Sequence, residues 1–421
     1  MNIAHRETCR LCESKDVALA VNLNPIPLAE KYTLQSSEAK NVPLYPIDLY
    51  MCKTCSHVQL LDVIHSDNLW ENYTYHSGQT KGILDHFYAV SQAIISKYHP
   101  DSGSLIIDIG SNDGSLLRCF KNAGYRVHGV DPAKEIAEKA TASGIETTPS
   151  VLNAKVAEKI RKKYGAAAVV TAFNVFAHAD DLGAMTDAIG SLLHEDGIFV
   201  FEVQYLLDIV EKVLIGTIFH EHMSHHSLKP MIQFLSKHGL ELIDVERVTI
   251  QKGSIIGFAQ RKGGSRKISQ SVHDLLALEK KCDLDQLKTL QQFNDRIEKN
   301  RQIAQALIKN WKQQNLTIAG FGAARSGPTL MMQYGFNEVI QYIFDDHPQK
   351  INHYSPPNGV PVISTAELIK RKPDVVVILA WIHAKTIILS NQDYLKLGGK
   401  FVVCIPDVCV IDQYSLSKNY G

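Results

Sequence analysis

Read along the chain, apolar positions follow two periods. Ser104-Leu-Ile-Ile-Asp-Ile-Gly110 is apolar on both faces, as a buried parallel strand requires. After it the pattern predicts a turn at 110–114, a helix over Ser115–Ala123, a strand over Arg126–Val130 and a helix over Lys134–Ala142. Strands are expected at Ala167–Thr171 and Gly197–Glu202, with a helix over Asp181–Leu193 between them. The alternation predicts a doubly wound α/β sheet, ending in strands at Glu241–Thr249 and Ser254–Gln260. A helix over Lys81–Lys97 precedes it.

Downstream, a long polar helical stretch is expected over Ser271–Gln313, with Leu275, Leu276, Leu278, Leu284, Leu287 and Leu290 set among charges. Leu316–Gly322 then reads as a strand entering a glycine turn, followed by strands at Val339–Phe344, Val375–Leu379 and Lys400–Cys404. This is a second, smaller Rossmann-like domain. Lys262–Lys267 is the best linker candidate. Upstream lie two Cys-x-x-Cys knuckles, Asn24-Pro-Ile-Pro27 and a strand-like Tyr45–Met51. The expected divisions are residues 1–78, 79–264 and 265–421.

Composition narrows the classes. Forty-five per cent hydrophobic and 21% charged residues supply more than one core. Forty-four basic and 44 acidic side chains balance, which argues against a nucleic-acid or membrane-surface partner. No apolar run is long enough to span a bilayer, and the start lacks a secretory h-region. A cytoplasmic monomer is the expectation. Cysteines in a reducing compartment favour metal binding or inertness over disulfides.

Three groups of residues carry chemistry. Cys9, Cys12, Cys52 and Cys55 read as a tetrahedral, four-thiolate zinc site, closed and therefore structural; unligated knuckles or a redox pair are the other readings. Asp108-x-Gly110-x-x-x-Gly114 ends one strand and opens a helix, where backbone amides favour an anionic group, and Asp131 ends the next strand, placed for ribose hydroxyls. The turn is not a dinucleotide fingerprint and instead resembles that of class I methyltransferases using S-adenosylmethionine. Gly320-Phe-Gly322-Ala-Ala-Arg325 is a weaker candidate, because Arg325 occupies the third glycine position. Residues 217–227 hold four histidines and Glu221. Such a cluster reads as a proton-transfer site, a metal site or structure. His222 and His226 are spaced to share a helix face, yet Ser224 breaks the H-E-x-x-H pattern.

Together these motifs resemble the three-domain sugar C-methyltransferases of deoxysugar biosynthesis, over essentially the whole chain. The cysteines match the family's N-terminal zinc site. Gly110–Gly114, including Asn112, and Gly129-Val-Asp131-Pro132 match its cofactor site. Asn174-Val-Phe176-Ala-His178 matches a segment lining the cofactor, and Phe321-Gly-Ala-Ala with Leu379-Ala-Trp381 matches the C-terminal domain that helps hold the nucleotide-sugar. The resemblance implies S-adenosylmethionine and structural zinc as cofactors and a nucleotide-linked 4-keto-6-deoxy sugar as substrate, methylated at C3 through an enolate. It implies His222 as the base, Glu221 beside it, Tyr75 reaching the same pocket and His220 in support. An O- or N-methyltransferase, or a binding protein without turnover, are the alternatives.

The chain departs from the family in places. Phe219 stands for a tyrosine, His225 for an aromatic tyrosine, Ile256 for an arginine, and Ser326 and Pro328 for lysine and asparagine. Lost cations put the nucleotide and sugar in question, with Arg325 and Lys252 as candidate replacements.

Overall fold

The computed structural model describes residues 3–64, 78 and 81–416. The chain gathers into two compact units, each assembled from non-consecutive segments. One comprises Met1–Ala18, Met51–Leu207 and Met223–Gln286; the other comprises Leu19–Tyr50, Asp208–His222 and Leu287–Gly421.

The first unit is built on a seven-stranded sheet. Helix α1 (Lys81–Tyr98) leads into β1 (Leu105–Ile109), α2 (Ser115–Asn122), β2 (Arg126–Asp131), α3 (Lys134–Ala142) and β3 (Thr147–Pro149). Then come α4 (Ala154–Tyr164), β4 (Ala167–Phe173), α5 (Leu182–Leu192), β5 (Leu193–Gln204), α6 (Leu228–Lys237), β6 (Leu240–Val248) and β7 (Ser254–Arg261). The strands lie in the order 3-2-1-4-5-7-6. β1 to β5 run parallel, and β7 pairs antiparallel with both β5 and β6. All five residues of β1 are buried, as its two apolar faces require. Leu116, Leu117 and Phe120 of α2 and Phe87, Val90 and Ile94 of α1 close the core over it. The strand order reverses at β1, between β2 and β4, and there this fold class places its ligands, at the carboxyl ends of the strands.

Helices α4 and α6 have no counterpart in the sequence-based expectation. Only Ala157 and Ile160 of α4 are buried, so its apolar stripe is thin, although Asn153 caps it by accepting from Val156 N at 3.1 Å. The expected single helix over Ser271–Gln313 is two, α7 (Gln270–Lys281) and α8 (Leu287–Gln313). The break falls at Asp283, whose φ is +48°. Glu279 shows why α7 stays with the first unit. Its carboxylate is buried and accepts from Leu228 N at 2.6 Å, Lys229 N at 3.2 Å and the Tyr205 hydroxyl at 3.0 Å. It thereby caps α6, whose own N-cap, Ser227, makes no side-chain bond.

In the second unit, β8 (Ile318–Phe321), α9 (Gly327–Tyr334), β9 (Ile343–Phe344), β10 (Tyr354–Ser355), β11 (Val360–Ile363), β12 (Val375–Ile378), β13 (Lys400–Val403) and β14 (Cys409–Ile411) form another seven-stranded sheet. Its order is 10-11-9-8-12-13-14, with the central five strands parallel. Phe344, Ile378, Tyr394 and Phe401 sit in its core. Among the described residues, no helix is long and apolar enough to cross a membrane.

Candidate active site and metal centre

The zinc knuckles belong to the first unit. A hairpin of Leu49–Cys52 and Val58–Leu60 turns through the second knuckle, closed by Cys52 N donating to His57 O at 2.9 Å. This brings Cys52 and Cys55 to Cys9 and Cys12, with Sγ–Sγ distances of 3.6 Å (Cys9–Cys55) and 3.5 Å (Cys12–Cys52). All four sulfurs lie within 4.8 Å of one another. A tetrahedral zinc with bonds of about 2.3 Å sets its sulfurs about 3.8 Å apart, so the cage fits the ion. Ionisation points the same way. Burial, together with the charge on Cys9, pushes the Cys12 thiol up to about 11. A bound dication would let the sulfurs ionise together. Among the described residues this is the one group of three or more side chains placed to hold a metal.

The cofactor cradle forms at the carboxyl ends of β1, β2 and β4. Gly110 has φ +70°, donates to Val130 O at 2.7 Å, and has no room for a side chain: a Cβ would lie 2.1 Å from Val175 Cγ2. Gly114, also in the left-handed region, would meet Ile145 in the same way. Asn112 sits at φ +49° and donates its N–H to Asp131 Oδ2 at 2.8 Å, while Ala133 N donates to Oδ1 at 2.8 Å. A carboxylate has about four acceptor sites, so Asp131 retains capacity for ribose hydroxyls. Ser111 Oγ is buried in the same loop with no hydrogen-bond partner among the described residues. These features fit S-adenosylmethionine.

Asp108 is tied to the neighbouring strand. Its side chain turns into the sheet and accepts from Thr171 Oγ1 at 2.6 Å, and burial raises it to about 7. It props the loop from beneath.

The segment after β4 divides its roles. Asn174, at φ +56°, is locked to β5: its N–H meets Glu202 O at 2.9 Å and its Nδ2 donates to Glu202 Oε1 at 2.8 Å. The other Glu202 oxygen accepts from His86 Nε2 at 2.5 Å. His86 and Glu202 were not legible as site residues, because they meet only when α1 packs on the sheet. Ile256, the position of the family's arginine, lies directly across from Glu202 in the antiparallel ladder. His86 is the side-chain partner of that carboxylate oxygen among the described residues. Phe176 corrects the sequence-based expectation: it is wholly buried against Phe199, Phe201, Phe234 and His226 and is a core residue, not a cofactor contact. His178 is half-buried in the turn that its N–H closes on Val175 O.

Residues 217–222 belong to the second unit and form a turn rather than a helix. A 3-10 turn over Ile215–Thr217 precedes them; Gly216 admits Trp381, whose Nε1 would lie 2.2 Å from a Cβ there. Trp381 is thus a packing residue. His222 N closes on Phe219 O at 2.9 Å, and its Nδ1 lies 2.6 Å from Thr217 O. A carbonyl only accepts, so Nδ1 carries the proton and Nε2 the lone pair. Desolvation lowers the imidazole to about 4. The Phe219 ring lies 4.0 Å from that of His222, supplying packing where the family has a hydroxyl. Glu221 is buried; Oε1 accepts from Arg325 Nη1 at 2.7 Å, and Oε2 has no hydrogen-bond partner among the described residues. Arg325 therefore holds a carboxylate. Ser326 Oγ donates to Leu379 O and Pro328 opens α9. His220 turns away, with Nε2 on Tyr45 O at 3.3 Å. Tyr75 lies outside the described residues. The shared helix face for His222 and His226 does not exist, since His226 follows the strand Ser224–His225, and this removes the geometric basis for a histidine metal site.

Comparison with known proteins accords with this anatomy. Three family models match consecutive regions: a zinc binding domain over residues 9–70, a methyltransferase domain over 85–245 and a C-methyltransferase C-terminal domain over 249–406. The C-methyltransferase NovU of Streptomyces niveus is 31% identical over 410 residues, covering 97% of this chain and 98% of its own. Among solved structures, magnesium protoporphyrin IX methyltransferase from Synechocystis PCC 6803 with bound SAH aligns at TM-score 0.34 and 18% identity, over 46% of this chain and 92% of its own. An S-adenosylmethionine-dependent methyltransferase from Clostridium acetobutylicum aligns at 0.34 and 12%, over 43% and 92%. The cofactors are accordingly S-adenosylmethionine and zinc. With its zinc cage, its methyltransferase sheet and a relative matched from end to end, the chain belongs to the S-adenosylmethionine-dependent C-methyltransferases that carry an N-terminal zinc-binding domain and a C-methyltransferase C-terminal domain.

Proposed function

We propose that the protein methylates C3 of a nucleotide-linked 4-keto-6-deoxy sugar, with His222 as the base. The observation that carries this reading is the 2.6 Å bond from His222 Nδ1 to Thr217 O, which leaves the basic lone pair on Nε2. A C4 ketone acidifies the C3 proton, because the carbanion is delocalised as an enolate. His222 Nε2 takes that proton, and the C3 electron pair forms the new carbon–carbon bond. Bound S-adenosylmethionine supplies an electrophilic methyl group whose sulfonium leaves as a neutral thioether. Glu221, paired with Arg325, is an acidic neighbour whose charge favours the imidazolium, opposed by that of Arg325. Held at about 4 by desolvation, His222 is neutral at physiological pH, which leaves Nε2 unprotonated while lowering its basicity. The motif resemblance to sugar C-methyltransferases supports the substrate class and the supporting roles it implies for Tyr75 and His220.

Incubation of the ketosugar in deuterated water without S-adenosylmethionine tests the step. Exchange at C3 by the wild type, and none by His222→Asn, is expected. Methyl transfer to oxygen or nitrogen with no C3 exchange would replace this reading by the alternative. Thermal shifts with dTDP, GDP and UDP then name the nucleotide.

A further inference from the structure

Arg10 lies between the first two zinc ligands, and its side chain is 0% exposed. Buried guanidinium groups are retained only where many acceptors satisfy them. Arg10 has four acceptors from three separate parts of the first unit. Nη1 donates to Gln59 Oε1 at 3.1 Å, Leu60 O at 3.1 Å and Met223 O at 2.9 Å. Nη2 and Nε reach Asp180 Oδ1 at 3.1 and 3.3 Å, and Arg6 Nη1 shares that oxygen at 2.9 Å. Two of these contacts border functional segments. Met223 follows His222 in the chain, and Asp180 follows the 174–178 segment at the cofactor cradle. The segments are also tied to each other and to the zinc hairpin: Ser224 N donates to Ala177 O at 3.1 Å, and Leu60 N donates to Met223 O at 3.0 Å.

We infer that Arg10 is a positioning residue through which the zinc knuckle fixes the peptide leaving His222 against the segment that borders the cofactor. The assignment rests on the functional reading above. It gives the zinc cage a task beyond stability: the cage orients one guanidinium, and that guanidinium sets the backbone at Met223 and Asp180. Lysine cannot replace it, because one ammonium cannot serve four diverging acceptors.

The test uses the full-length zinc-loaded protein and Arg10→Lys, with Asp180→Asn, whose side chain is 43% exposed and whose amide oxygen can still accept, as a second variant expected to fold. Both variants are expected to keep wild-type zinc content and S-adenosylmethionine affinity. For Arg10→Lys, kcat should fall about 10- to 100-fold with little change in KM, because a misplaced backbone costs rate before binding. Amide hydrogen exchange should quicken at residues 223–225 and 177–181 in both variants, more in Arg10→Lys. Wild-type kcat and exchange in a zinc-replete Arg10→Lys would overturn the inference. So would loss of zinc in step with activity, which would confine Arg10 to the knuckle. If Arg10→Lys fails to fold, unchanged exchange in Asp180→Asn overturns it equally. Should the wild type methylate no nucleotide-sugar, the functional reading fails, while the exchange measurements still decide the role of Arg10.

Discussion

His222 draws its chemistry from a single carbonyl. Thr217 O fixes the tautomer, and desolvation holds the ring neutral at about 4 against an unfolded value of 6.5. Between those values the unfolded chain binds a proton that the folded chain refuses. Stability contributed by this histidine is therefore fully present above pH 6.5 and is lost as pH falls toward 4. The acid limb of kcat/KM should lie well below 6.5, and unfolding of His222→Asn should vary less with pH across that window. A limb at 6.5 would contradict the burial argument. Gly110 makes a second residue-scale demand. Alanine there faces both φ +70° and a 2.1 Å contact with Val175. Gly110→Ala should cost about 2 kcal/mol or more in urea unfolding and weaken S-adenosylmethionine binding by calorimetry. The histidine cluster was visible in the sequence as a cluster; its division was not. His220 turns to Tyr45 and His226 stacks on Phe176, partners distant in sequence, whereas His222 is oriented by Thr217 within its own turn.

At the scale of elements, the parallel strands were the most legible part. β1, β2 and β4 are buried on both faces, and burial writes itself into composition. Helices with thin apolar stripes, such as α4, were not. The split of residues 271–313 was hidden because leucines continue through the break, while the left-handed turn at Asp283 leaves no hydrophobic mark. Glu279 decides where α7 docks. Glu279→Ala should destabilise the protein by about 2 kcal/mol, since it strips the cap from α6 and strands buried donors at Leu228 and Tyr205. A urea midpoint equal to wild type would refute the capping role.

At the scale of the whole molecule, zinc joins two separate sequence segments of the first unit, Met1–Ala18 and Met51–Leu207. Chelation at neutral pH should lower the apparent Tm of the full-length protein, and Cys12→Ser should do the same while retaining S-adenosylmethionine affinity. Metal loss with an unchanged melting curve would show that the cage is not structural. The strand order 3-2-1-4-5-7-6 explains why glycines, Asp131 and Asn174 converge although some sixty residues separate the first from the last. By itself the sequence determined the alternation of strands and helices, the four metal ligands and the glycine–acid signature, since each is a local constraint of burial, coordination or backbone freedom. Only the tertiary structure decided that Phe176 is core, that Arg325 holds Glu221, that His86 serves Glu202 and that Arg10 reaches Met223. Those are meetings of side chains from separate elements, and no periodicity along one chain records them.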